Sequence, residues 1–175
     1  MRGPLAGSLL LAALWLTPAL ALDVGDTVPA LKAPTFDGQE FDLAALRGKV
    51  VVLNLWATWC SPCRVEMPAL EAFYAKFRGR GVTVIGLNEN DPADLAEVKQ
   101  VMTGFSYPAV MAGTAPVNDF RTPRVLPITY VIDAQGVIKA KLWPGGTPVT
   151  EENLEKAVLP LLPPAAPAAA TKNPA

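Results

Sequence analysis

Hydrophobic positions along the chain change period several times, and each change marks an element. Leu9 to Leu20 is almost wholly apolar behind a positive start at Arg2, and Ala19-Leu20-Ala21 has the small-x-small pattern read by signal peptidase. Met1 to Ala21 is therefore expected to be a secretory signal, with Leu22 opening the mature chain. An uncleaved membrane anchor is the alternative, although the apolar stretch is short against the roughly 20 residues of a spanning helix. Asp23 to Lys49 begins loosely, and Asp37-Gly38 then suggests a hairpin turn. Asp42 is placed to cap a short helical turn through Leu46, ended by Gly48. Val50 to Trp56 is apolar everywhere except Asn54, the pattern of a central parallel strand covered on both faces.

Beyond that strand the period becomes helical. Leu70, Phe73, Tyr74 and Phe77 fall at i, i+3, i+4 and i+7 of a helix spanning Pro62 to Phe77, one stripe facing a sheet. Pro68 lies inside it and is expected to kink it, because proline donates no backbone hydrogen bond. Val82 to Leu87 is a second buried strand, so strand, helix and strand predict a right-handed βαβ unit. Ligand chemistry in such units gathers at the carboxyl ends of the strands. Asp91-Pro92 with Asp94 opens a helix to about Gly104. A short strand near Ala109 to Met111 precedes a helical turn, and Ile128 to Ile132 is a strong β-branched strand. After the turn at Asp133 to Gly136, Val137 to Leu142 alternates with Lys139 and Lys141, as suits an edge strand. Thr150 to Leu159 opens with Thr-Glu-Glu-Asn and predicts the last helix. Three segments result: a leader over 1–21, one domain over 22–159, and a Pro/Ala-rich tail over 160–175 expected to be disordered.

Composition narrows the function more than the fold. The net charge of −1 and the lack of any basic run give no footing for nucleic acid. The chain contains no histidine, which removes histidine-based triads, histidine-ligated metals and a histidine general base together. No cofactor is called for, and a monomer is expected.

The chemistry that remains is in Trp56-Ala-Thr-Trp-Cys-Ser-Pro-Cys63, where the buried strand turns into the helix. Three readings are open for its two cysteines, the only ones in the chain. A structural disulfide would gain little from so short a loop. A zinc half-site would need a second pair of ligands. A redox pair fits the position: Cys60 at the helix start, exposed and stabilised as a thiolate by unpaired N–H groups, and Cys63 one turn in, shielded and able to displace a mixed disulfide. Glu66, on the same helix, reads from the residues alone as a solvated carboxylate. Trp56 reads as core packing, and Trp59 as a shield for Cys60 and part of a docking surface.

Trp59-Cys60-Ser61-Pro62-Cys63, with Pro68 five residues on, resembles the active site of the thioredoxin superfamily. Glu66 and the lead-in Phe36-Asp37-Gly38 resemble its extracytoplasmic branch, the TlpA- and ResA-like thiol-disulfide oxidoreductases. The resemblance covers roughly Val24 to Leu159. It implies an α/β thioredoxin-like fold, a central mixed β-sheet flanked by helices, with an N-terminal hairpin extension and a central insertion. It also implies a cis peptide before a proline facing the sulfurs, matched here by Leu126-Pro127, where a substrate peptide can pair in extended form beside Trp59 and Pro62. It implies that Glu66 is buried, with its pKa raised, and exchanges protons with Cys63.

The family resemblance further implies a periplasmic protein acting on protein disulfides and recharged by a membrane thiol-disulfide electron donor, with apocytochrome c or copper-site assembly proteins as clients. Ser-Pro between the cysteines leaves only the helix terminus and Arg64 to favour the thiolate, which suits a reductant. Arg121 and Arg124, beside the Leu126-Pro127 loop, are candidates to steer an acidic partner, or are solvated loop residues. Two rivals stand beside this reading: a thiol peroxidase of the peroxiredoxin branch, and a protein carrying Cu(I) on two thiolates with Met67 as the nearest third ligand.

Overall fold

The computed structural model describes residues 22–120, 123 and 125–163. The leader expected over 1–21, both candidate steering residues Arg121 and Arg124, and the tail from 164 onward lie outside the described residues. Among the described residues no helix is long and apolar enough to cross a membrane.

Two sheets are formed by the described residues. A small antiparallel sheet is made by β1 (Leu31–Pro34), β2 (Glu40–Asp42) and a two-residue strand reached later in the sequence. The β1–β2 hairpin turns at the expected place, with Gly38 at φ 85°. Asp42 then caps the 3-10 turn Leu43–Leu46, its Oδ1 accepting from Ala44 N–H, and Gly48 leaves that turn at φ 89°. The next strand, β3 (Val50–Trp56), is buried at all seven positions. It leads into α1 (Ser61–Phe77), from which the chain returns through β4 (Val82–Asn88), parallel to β3.

Beyond β4 the chain passes through a series of short elements. Asp91 accepts from Ala93 N–H to open a 3-10 turn that passes into α2 (Leu95–Met102). The short strand β5 (Ala109–Met111) follows, then a 3-10 turn and β6 (Val117–Asn118), which pairs with β1. Strands β7 (Ile128–Ile132) and β8 (Ile138–Leu142) complete the main sheet in the order β5-β4-β3-β7-β8. β3, β4 and β5 run parallel; β7 is antiparallel to β3, and β8 to β7. The last α-helix among the described residues is α3 (Glu151–Val158), capped by Thr150, whose Oγ1 accepts from Asn153 N–H at 3.1 Å. Ordered chain continues past the expected domain end at Leu159: residues Leu159–Leu161 form a 3-10 turn, and Leu161 and Leu162 pack on the core.

Alternation along β3 distributes its side chains to two cores. Val50, Val52 and Trp56 face α1, α2 and α3, while Val51, Leu53 and Leu55 face the small sheet, Leu43 and Phe120. A strand with no solvated face can afford no polar alternation, which is why β3 reads as a continuous apolar run. On α1 the buried stripe is longer than the aromatic signal suggested: it begins at Cys63, Glu66 and Met67 before reaching Leu70, Phe73 and Phe77. α1 continues through Pro68 without interruption. The edge strand β8 carries its lysines as expected, but the first described residues also cover part of it. Gly25 and Val28 donate to the carbonyls of Ile138 and Gly136, and Lys141 Nζ donates to Leu22 O at 2.9 Å.

Gly86 on β4 stands opposite Asn54 of β3 and lies under the Trp56 indole; a Cβ there would come within 2.8 Å of Trp56 Nε1 and 3.3 Å of Ala109 Cβ. Since Trp56 is wholly buried, the ring has little room to yield. Gly86→Ala is expected to lower stability by about 1–3 kcal/mol, read from the midpoint of denaturant unfolding at unchanged slope.

Candidate active site

β3 ends at Trp56, at the carboxyl edge of the sheet, and the chain needs four residues to reach the start of α1. Those residues are fixed by hydrogen bonds. Cys60 N–H donates to Ala57 O at 3.2 Å, closing the turn. Asn90, just past β4, accepts from Thr58 N–H through Oδ1 at 2.8 Å and donates to Thr58 Oγ1 through Nδ2 at 2.8 Å. Asn88 donates to the same Oδ1 at 3.1 Å, and Asp94 accepts from Asn90 Nδ2 at 3.2 Å. Every buried polar atom paired in this way avoids a penalty of about 1–3 kcal/mol, so the loop is held at two adjacent strand ends.

Cys60 is the N-cap of α1, and its Sγ accepts from Cys63 N–H at 3.3 Å. Cys60 and Cys63 are joined as a disulfide with their Cα atoms 5.3 Å apart. The first N–H groups of a helix have no carbonyl partner and carry partial positive charge, so they lower the cost of a thiolate on the capping sulfur. The exposure expected for Cys60 needs correction: only 5 % of the residue is accessible, against 0 % for Cys63. The order is the expected one, and the Cys60 sulfur is bonded to that of a fully buried residue.

Around the pair, the two tryptophans separate as their sequence positions suggested. Trp56 is fully buried, whereas Trp59 is 69 % exposed. Pro62 is exposed in the first turn of α1, and Val65, one turn on, is also exposed. The peptide between Leu126 and Pro127 is cis. Pro127 is buried, and Ile128 pairs with Leu55, which brings Pro127 to the same end of the sheet as the cysteines. Val125 beside it is exposed.

Glu66 is not the solvated carboxylate that its residue type suggests. It is 7 % exposed, on the α1 face that packs against β3. Asn54 Nδ2 donates to Glu66 Oε1 at 2.9 Å and to Thr129 Oγ1 at 2.9 Å. Burial pushes the Glu66 pKa up to about 7, outweighing the Asn54 hydrogen bond, which favours the charged form. Tyr107 is buried nearby; desolvation, and then the charges of Glu71 and Glu66, raise its pKa far above the phenol range. Asn54, Thr129 and the Asn88–Asn90 pair were not singled out from the sequence as functional. The one available signal was a lone amide in an otherwise apolar strand.

A thioredoxin-like sheet with a Cys-x-x-Cys disulfide at a helix start and a cis-proline at the neighbouring strand end defines a thiol-disulfide exchange protein. The comparisons agree. Residues 24–141 match the AhpC/TSA family, and the chain belongs to that family. It is similar to the thiol-disulfide oxidoreductase ResA of Geobacillus kaustophilus, 33% identical over 140 residues, covering 80% of this chain and 79% of the relative. Against ResA of Geobacillus thermodenitrificans the identity is 34% over 138 residues, covering 75% and 79% respectively. Among solved structures, a thiol:disulfide interchange protein of the thioredoxin family from Chlorobium tepidum TLS superposes with a TM-score of 0.64 at 28% identity, over 82% of this chain and all of that one. The chain is a thiol-disulfide oxidoreductase of TlpA/ResA-like type.

The buried carboxyl has a consequence for stability. Its pKa is raised on folding, from an ordinary 4.5 to about 7, so the native state holds a proton that the unfolded chain releases between those values. Its contribution is therefore full below about pH 4.5 and is lost as pH rises through about 7. In the oxidised protein, unfolding free energy should fall across that window by on the order of 2–3 kcal/mol. Glu66→Gln should flatten the decline, as measured by urea titrations at a series of pH values.

Proposed function

We propose that the protein is exported to the periplasm and works there as a reductant, breaking disulfides of exported client proteins through the Cys60/Cys63 dithiol. The observation that carries this is the placement of Cys60 Sγ as the cap of α1, with the other sulfur one turn inside and wholly buried. Cys60, as thiolate, attacks a client disulfide and forms a mixed disulfide while one client sulfur leaves as thiolate. Cys63 then attacks Cys60 Sγ, releasing the second client thiol and closing the Cys60–Cys63 bond. Two electrons pass to the client, and a membrane thiol-disulfide donor must return them, since the periplasm has no adequate thiol buffer.

Glu66 serves as the proton acceptor for Cys63 in the second step and returns the proton on re-reduction. A pKa of about 7 suits both directions near neutral pH. Trp59, Pro62, Leu126 and Pro127 form the docking surface, where exposed indole and proline meet a client backbone lying along the cis-proline. A histidine between the cysteines is one device that stabilises a thiolate strongly enough to make an oxidant; Ser61-Pro62 supplies no such charge. Apocytochrome c and thiols of copper-site assembly proteins are the client classes that fit a reductant in this compartment. The protein acts as a monomer.

The reduction potential against a dithiothreitol or glutathione series tests the direction of flow. A value well below that of the strong oxidants is expected, and one near about −120 mV would overturn the assignment as a reductant. Cys63→Ser should accumulate mixed disulfides through Cys60 in periplasmic extracts, resolved on non-reducing gels, and Cys60→Ser should accumulate none. Glu66→Gln is expected to slow resolution at neutral pH by about 10²-fold or more, in the range of general-base contributions. An unaltered pH–rate profile in that variant would remove Glu66 from the mechanism.

A further inference from the structure

Taking Glu66 to be the proton acceptor proposed above, we infer that Asn54, seconded by Thr129, is a positioning residue whose amide matches both protonation states of Glu66. Asn54 is fully buried, two residues before the carboxyl end of β3, and directly opposite Thr129 of β7. Its Nδ2 spends one N–H on Glu66 Oε1 and the other on Thr129 Oγ1, each at 2.9 Å. Its Oδ1, equally buried, has no hydrogen-bond partner among the described residues. A buried amide with both donors used and its acceptor idle is matched to a carboxylate, which can only accept.

The same three side chains also suit the protonated acid. A carboxylic acid protonated on Oε2 still offers Oε1 as a carbonyl acceptor, and the Thr129 hydroxyl accepts the second N–H whatever the charge on Glu66. The Asn54 amide therefore keeps both of its hydrogen bonds in either state without rotating; a half-turn would instead leave its two N–H groups buried at the place where Oδ1 finds no partner among the described residues. No backbone group has to move, and no charge has to enter from outside. A neutral amide donor favours the carboxylate without holding it ionised, as a positive charge at the same place would, so the carboxyl can cycle between charged and neutral.

Among the described residues the titratable groups facing Glu66 are few. Cys63, and Cys60 at the helix start, share its element, and both are bonded in the oxidised protein. Tyr107, from the segment before β5, lies close enough to feel its charge but is held neutral by burial. β3 and β7 contribute Asn54 and Thr129, which are uncharged. The hydrogen bond from Asn54 is accordingly the main favourable interaction of the carboxylate among the described residues.

The test is a carbon-detected titration of the Glu66 carboxyl in the oxidised protein, with the Asn54 side-chain amide followed in the same series. In the wild-type protein the amide resonances should move with the midpoint of Glu66; amide shifts constant through that midpoint would overturn the proposal without recourse to any variant. Asn54→Leu should raise the midpoint by about one pH unit, because a hydrogen bond to a charged acceptor is worth more than one to a neutral acid. In the reduced protein it should shift the pH–rate profile by the same amount, with the rate at high pH recovering to near the wild-type value. Damage to packing alone would lower the rate at every pH. Thr129→Ser, which keeps the hydroxyl, should behave as wild type, and Thr129→Val should not. An unmoved midpoint in Asn54→Leu alongside an altered profile in Glu66→Gln defeats this inference and leaves the role of Glu66 standing. An unaltered profile in Glu66→Gln defeats that role itself.

Discussion

The structure turns on the meeting of a sulfur with the free amide end of a helix. α1 starts with N–H groups that have no carbonyls to receive them, and Cys60 Sγ accepts one of them from Cys63. Everything else that matters for exchange is a means of keeping this sulfur in place. β3 delivers it to the carboxyl edge of the sheet, Asn90 fastens the loop before it, and Pro62 preorganises the first helical turn. Cys63, one turn on, is carried inward by the same helical period that buries Met67 and Leu70. The contrast between a capping sulfur and an interior one therefore follows from two positions on one helix.

Burial then divides the labour among residues of similar chemistry. Trp56 and Trp59 are three residues apart, yet one fills the core and the other faces solvent, because the strand ends between them. Glu66 and Glu71 both sit on α1. Glu71 accepts from Ser106 N–H at 2.7 Å at an exposed site, while Glu66 is enclosed against β3 and has its proton affinity raised by that enclosure. A carboxyl in water at neutral pH would be ionised and a poor match for thiol chemistry. Enclosing it brings its pKa close to neutral, where it can exchange a proton with a thiol.

The site is polar inside a fold that is otherwise apolar at its centre. Asn54, Thr129, Glu66, Asn88 and Asn90 are buried, and all are near the carboxyl end of β3 or its neighbours. Away from this end, the two cores on either face of the main sheet consist largely of aliphatic and aromatic side chains. Buried polar groups weaken a core unless their bonds are made, and their concentration at one end of the sheet marks where stability has been exchanged for chemistry.

Much of this was legible along the chain. The unbroken apolar run of Val50–Trp56 could only be a strand covered twice, and the stripe of Leu70, Phe73 and Phe77 could only be a helix laid on it. Asp42, Asp91 and Thr150 announced their caps, and two cysteines at a strand-to-helix joint announced redox chemistry. The extent of the domain beyond Leu159, the small exposure of Cys60 and the cover along β8 were not legible, because each depends on packing between distant segments. Nor could the residues alone show Glu66 as buried or give Asn54 a partner. The sequence by itself determined the strand-to-helix joint, the cysteine pair placed on it and the caps and turns of the local structures, since period, capping and spacing act between near neighbours. Tertiary structure alone decided that the carboxyl of α1, the amide of β3 and the hydroxyl of β7 meet away from water, because a proton affinity depends on the dielectric and partners that the whole fold assembles around a group.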